Sequence, residues 1–150
     1  MAAEILQDNP YNILICEDNI INQKVVRLFI EDSGFNCNIK IVENGKMCVD
    51  EFNSGKYHLI FLDIGLPDIS GKEVARIIRL KNKTVPIIAY TAMNQDQAMT
   101  EDFTDIMVKP TFINTTREIL EKYLHNETNN SGGGEGVKRV HRRNIIRDKH

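Results

Sequence analysis

The 150-residue chain has no apolar run close to the roughly 18 residues that a membrane-spanning helix needs. Its first residues, MAAEILQDNPYN, carry neither the basic start nor the apolar stretch of a secretory signal. Cysteine is scarce. Cys16, Cys37 and Cys48 are odd in number and have no CxxC spacing, which excludes a disulfide framework or a thiolate zinc site and fits a reducing cytoplasm. Neither GxxxxGK[ST] nor GxGxxG occurs, so no glycine-rich loop is present to cradle a nucleotide. Internal repeats are also missing. The chain is long enough for one domain of ordinary size, with or without a tail.

Charge is unevenly spread. The net charge is −2, yet residues 137–150 hold six Lys/Arg against one acid, Asp148. The preceding 136 residues therefore carry a net −7, which argues against a body that binds nucleic acid. Between the two lies NETNNSGGGEG, residues 126–136, which has no apolar residue and reads as a flexible linker. The expected organisation is a lead over residues 1–10, a domain over 11–125, a linker over 126–136 and a basic, disordered tail over 137–150.

Within the body, β-branched apolar runs alternate with helical patterns. Strands are expected at Ile13–Cys16, Cys37–Val42, Leu59–Leu62, Ile87–Tyr90 and Ile106–Val108. The first helix is expected from Ile20 to Ser33, with Val25, Leu28 and Phe29 inward and Gly34 as its stop. Others follow near Lys46–Asn53, Lys72–Lys81 and Phe112–Leu124. The third should turn Val74, Ile77 and Ile78 inward. The last should group Phe112, Thr116, Ile119, Leu120 and Tyr123. The stretch between Tyr90 and Ile106 leaves room for only a brief helix. Strand–helix alternation predicts an α/β, doubly wound sheet of five parallel strands, with function at the carboxyl ends of the strands.

What stands at those ends is informative. Glu17 and Asp18 follow the first strand, Asp63 the third, Thr91 the fourth, and Lys109 the fifth, just before Pro110. Three carboxylates in one crevice repel each other and need compensation. Lys109 supplies one positive charge. A hard divalent cation such as Mg²⁺ would supply more, and with a hydroxyl and an ammonium in reach Asp63 becomes a candidate phosphoryl acceptor. Any one of these residues alone would be an ordinary solvated loop residue. Asp68 reads as a turn residue, His58 as shaping the entry to a strand, and Cys16 and Cys48 as core thiols. Tyr90 fits either the core or the rim of the site.

The strings ILICEDNIINQ (13–23), LIFLDIGLPDISG (59–71), PIIAYTA (86–92) and VKP (108–110) resemble the receiver domain of two-component response regulators, the CheY-type fold, over roughly Tyr11 to His125. The resemblance implies the flavodoxin-like strand order 2-1-3-4-5. It implies phosphorylation of Asp63 by a histidine kinase, without turnover chemistry. It implies a Mg²⁺ site made of Asp18, Asp63, the Gly65 carbonyl and, through water, Glu17. Thr91 and Lys109 would meet the phosphoryl group, Pro67 and Gly71 would shape the loop, and Lys109–Pro110 would be cis. Within the family the chain looks most like receivers of hybrid histidine kinases, which pass phosphate to a histidine phosphotransfer domain. The first helix, near Asn19, Ile20 and Gln23, would then face the partner.

Two features depart from the family. Ile106 occupies the place of an aromatic residue, and Thr91 to Lys109 is 18 steps, roughly one helical turn short, so the fourth helix should be shortened. Gly65 and Met93 lack polar side chains to position a water, which implies slow dephosphorylation. Two other functions compete. One is a receiver-like interaction module that works without phosphate. The other is a haloacid-dehalogenase-type phosphatase, which Glu-Asp-Asn after the first strand disfavours.

Overall fold

Unbroken apolar runs become strands with two buried faces. A computed structural model describes residues 9–124. It contains β1 (Tyr11–Cys16), α1 (Ile20–Glu31), β2 (Cys37–Val42), α2 (Gly45–Ser54), β3 (Leu59–Leu62), α3 (Gly71–Lys81), β4 (Ile87–Thr91), α4 (Gln95–Ala98), β5 (Asp105–Val108) and α5 (Ile113–Leu124). The five strands form one parallel sheet in the order β2-β1-β3-β4-β5. That is the expected doubly wound architecture. The order reverses between β1 and β3, where such sheets open a crevice. Residues 1–8, the linker over 126–136, the tail and His125 lie outside the described residues.

Side chains alternate between two cores. Ile13, Ile15, Leu59, Phe61, Ile88 and Tyr90 face Val26 and Ile30 of α1 and Ile119, Leu120 and Leu124 of α5. Leu14, Cys16, Ile60, Leu62, Ile87 and Ala89 face Val74, Ala75 and Ile78 of α3 and Cys48 of α2. Cys16 and Cys48 are fully buried thiols, as expected. Contact with Cys48 and burial both push the Cys16 thiol up, so it stays protonated. At the opposite end of the sheet, His58 Nδ1 accepts from the Asn12 N–H at 2.9 Å, which fits its place at the entry to β3.

Asparagine and serine set the helix starts. Asn19, Asn44, Ser70 and Asn94 each cap the following helix, their side chains accepting from Asn22, Met47, Lys72 and Gln97 backbone N–H groups. Gly34 has φ +93° and ends the turn after α1 in the left-handed region. α4 is a single turn, as its polar and short sequence predicts.

Three helix faces differ from expectation. On α1 the buried residues are Gln23, Val26 and Ile30, while Leu28 is 61% exposed and Val25 and Phe29 are half-buried. The helix is apolar nearly all round, so the pattern admits more than one stripe, and packing selects the stripe that reaches the sheet. Phe112 precedes α5 and is 64% exposed, and Tyr123 is half-buried because its hydroxyl turns out to Asp105 at 2.6 Å. Ile77 is likewise half-buried, with Ala75 taking the inward place on α3.

Candidate functional site

Strand register brings the polar residues together. Cys16 of β1 pairs with Leu62 of β3, so the residues after them, Glu17 and Asp63, stand side by side. Their N–H groups continue the ladder, Asp63 to the Cys16 carbonyl and Glu17 to the Val42 carbonyl, both at 3.0 Å. Thr91 pairs with Val108, and the Lys109 N–H donates to the Thr91 carbonyl at 2.9 Å. The Lys109–Pro110 bond is cis, as expected.

Lys109 crosses the crevice. Its Nζ lies 2.6 Å from Glu17 Oε1 and 3.2 Å from Asp63 Oδ2. Glu17 is wholly buried, Asp63 and Thr91 nearly so, and Asp18 is exposed. Burial pushes the Glu17 carboxyl above its ordinary range, and Lys109 and the Asn19 N–H only partly offset it. Glu17 is also locked in place. Its Oε2 accepts from Asn19 N–H at 3.0 Å and Asn22 Nδ2 at 3.5 Å, and its backbone carbonyl accepts from Gln23 Nε2 at 2.7 Å. Gln23, expected at the partner face of the first helix, is therefore spent inside, while Asn19 and Ile20 stay exposed.

Glu17, Asp18 and Asp63 each offer a carboxylate oxygen, and these lie within 4.8 Å of one another. Three acids against one nearby ammonium leave an excess of negative charge. An all-oxygen donor set with that excess fits a hard divalent cation.

The loop after β3 aims Asp63. Gly65 N–H donates to Asp63 Oδ1 at 3.2 Å. Gly71 N–H donates to the Ile64 carbonyl at 2.8 Å. A Cβ on Gly71 would fall 2.1 Å from the Asp63 carbonyl oxygen, so only glycine lets α3 start there. Asp68 binds no acid cluster. Its two carboxylate oxygens accept from the Gly45 and Lys46 N–H groups at 2.8 Å each, tying the loop to the start of α2. Those bonds hold its carboxyl below the ordinary range. Sequence reasoning placed Asp68 in a turn but had no signal for this distant partner.

Thr91 Oγ1 accepts from the Met93 N–H at 3.2 Å, and Asn94, not Thr91, caps α4. Tyr90 is both core and rim. It is 1% exposed in the core shared with α1 and α5, yet Lys109 Nζ stands 4.8 Å from its ring centroid. Ile106 is half-buried against the opposite core.

A parallel doubly wound sheet with an acid cluster and a lysine at its switch point defines a receiver-type α/β domain. The family model for the response regulator receiver domain matches residues 13–124, and the chain belongs to that family, whose members act in two-component signalling. Transcription factor prr1 of Schizosaccharomyces pombe is 30% identical over 118 residues, which cover 76% of this chain and 22% of that protein. Response regulator protein TrrA from Thermotoga maritima, solved in complex with Mg(2+)-BeF, is 30% identical with a TM-score of 0.69, covering 75% of this chain and 98% of that one. The receiver domain of a sensor histidine kinase from Pseudomonas aeruginosa PAO1, solved with a magnesium ion coordinated in its active-site cleft, is 28% identical with a TM-score of 0.69, covering 79% and 100%. The chain spans about a fifth of the length of prr1. Among the described residues, no helix is long and apolar enough to cross a membrane.

Proposed function

We propose that the chain is a phosphoacceptor of a phosphorelay, phosphorylated on Asp63 in a Mg²⁺-dependent reaction. One observation carries the reading: Asp63 directly follows β3, with two further carboxylates within 4.8 Å and the Lys109 ammonium 3.2 Å from its Oδ2. An Asp63 carboxylate oxygen attacks the phosphorus of a phosphohistidine. The phosphorus–nitrogen bond breaks, and the imidazole nitrogen keeps the electron pair and takes a proton. Asp18, Asp63, the Gly65 carbonyl and, through water, Glu17 are the residues that would hold Mg²⁺. When bound, the ion supplies positive charge to offset the acids and the phosphoryl oxygens. Thr91 Oγ1 already accepts from Met93, which leaves its hydroxyl hydrogen free to donate to a phosphoryl oxygen. Lys109 neutralises a second one. The chain speeds its own modification and does not turn over.

The donor is a histidine kinase or a histidine phosphotransfer domain. It would approach the crevice beside Asn19 and Ile20, the latter 58% exposed. The same reading makes residues 11–125 the receiver, 1–10 a lead, 126–136 a linker and 137–150 a basic tail, in a cytoplasmic protein whose acidic receiver body binds no nucleic acid. Gly65 lacks a side chain and Met93 is apolar and half-buried, which fits slow loss of the phosphoryl group. A second reading, a receiver-like module that signals without phosphate, draws on half-buried Ile106 and the one-turn α4.

The test is intact-protein mass after incubation with acetyl phosphate, with and without Mg²⁺. The expected result is one phosphoryl adduct on the native chain, absent without Mg²⁺ and absent in Asp63→Asn. No adduct on the native chain under any condition would favour the second reading.

A further inference from the structure

Lys109 has a neighbour that charge pairing does not require. Glu17 and Asp63 already give its ammonium two carboxylates. Its stem is flexible, and its three donors rotate freely, so pairing alone does not fix where the ammonium points. One of those two carboxylates is also consumed when Asp63 becomes an acyl phosphate. The Tyr90 ring is the third contact, 4.8 Å from Nζ to the centroid. That ring cannot drift. It is the second-last residue of β4, 1% exposed, and wedged among the side chains of the core beneath.

An aromatic face attracts a cation through its quadrupole, most strongly where water is excluded. The Lys109 side chain is only 14% exposed. Burial, with Glu17 and Asp63 nearby, pushes the Tyr90 phenol up to about 12, so the ring stays neutral at physiological pH. Unlike the Asp63 carboxylate, the ring face is unchanged by phosphoryl transfer.

We propose that Tyr90 is a positioning residue that holds the Lys109 ammonium over the crevice before and after transfer; its role in transfer rests on the reading of Asp63 as phosphoacceptor. The ring face, not the hydroxyl, is what matters. Phenylalanine should therefore replace Tyr90, and leucine should not.

Two measurements test this. The first is the proton chemical shift of the Lys109 CεH₂ group, assigned against Lys109→Arg. In the native chain the ring current should move it upfield. Tyr90→Phe should keep that shift and Tyr90→Leu should lose it. The second is the rate of adduct formation with acetyl phosphate at saturating Mg²⁺. Tyr90→Leu should lower the maximal rate about tenfold, with Tyr90→Phe close to native. An unshifted Lys109 resonance in the native chain would overturn the proposal, whether or not any variant folds. So would a folded Tyr90→Leu that reacts at the native rate. If the native chain takes no phosphoryl group, the phosphoacceptor reading falls and the transfer role with it, while the chemical shift still decides whether the ring holds the ammonium.

Discussion

The two halves of the sheet are built in different ways. On the β1–β3 side the acids are held by strand register and by backbone donors. Glu17 and Asp63 continue the ladder, and Asn19, Gly65 and Gly71 fix the turns that follow. On the β4–β5 side the covering helix is one turn long, and one side chain ties together the segments that lead into the amino ends of the two strands. Arg79 of α3 donates to the carbonyls of Asn82, Val85 and Asp102 and to Thr104 Oγ1, at 2.7 to 3.2 Å. Chemistry on the first side needs charges fixed to within tenths of an ångström, which backbone supplies. The amino ends of β4 and β5 lie away from Thr91 and Lys109 and need only be held together, which a side-chain strut can do.

The sharpest way to break the first side is at Gly71. Gly71→Ala puts a methyl 2.1 Å from the Asp63 carbonyl oxygen and 2.7 Å from Ile64 Cα, so α3 and the acceptor loop must part. Urea denaturation should show a loss of about 3 kcal/mol. Gly65 lies closer to Asp63 in sequence, yet a Cβ there meets nothing within 4 Å and its φ is not positive. Gly65→Ala should stay within about 0.5 kcal/mol of native. Equal costs at the two glycines would show that the close approach at Gly71 is not what fixes the loop.

On the second side, Arg79→Ala strips the donor from three carbonyls and should cost about 2 kcal/mol by the same measurement. The rate of phosphoryl adduct formation should not change. A slowed rate would mean that the two halves are coupled.

A smaller effect is expected at Asp105, which joins β5 to α5. Burial pushes its carboxyl up, but the Tyr123 hydroxyl, the Ile106 N–H and Lys122 outweigh it and hold it below the ordinary range. On acidification the unfolded chain therefore takes this proton first. The contribution to stability is full above the ordinary carboxylate value and is lost as pH falls through the folded one. Asp105→Asn should cost about 1 kcal/mol at neutral pH, with the gap to native closing below about pH 4. A gap that is constant across that range would remove the carboxylate from the account.

The same contrast explains what the sequence disclosed. Unbroken apolar runs such as Leu59–Leu62 and Ile87–Tyr90, too short for a helix, define strands buried on both faces. Glu17, Asp63 and Lys109 were legible because each ends such a run, and strand order then makes them neighbours. The inward face of α1 was not. Ile20, Ile21, Val25, Val26, Leu28, Phe29 and Ile30 leave several stripes open, and only the sheet beneath selects Val26 and Ile30. Gln23 looked like a surface residue because its partner is a backbone carbonyl, which sequence does not mark. Arg79 and Asp68 were hidden for the same reason. Their partners are backbone groups three to twenty-three positions away, and a carbonyl or N–H has no identity in the sequence.

The central claim is that Asp63 accepts the phosphoryl group, and the most direct measurement is chemical mapping of the modified residue. An acyl phosphate is reduced by borohydride to the alcohol, so a phosphorylated aspartate becomes homoserine. After acetyl phosphate and Mg²⁺, borohydride treatment and peptide sequencing by mass should find homoserine at position 63. Homoserine at position 18 or 68, or at no position in a sample that carries the adduct, would contradict the account.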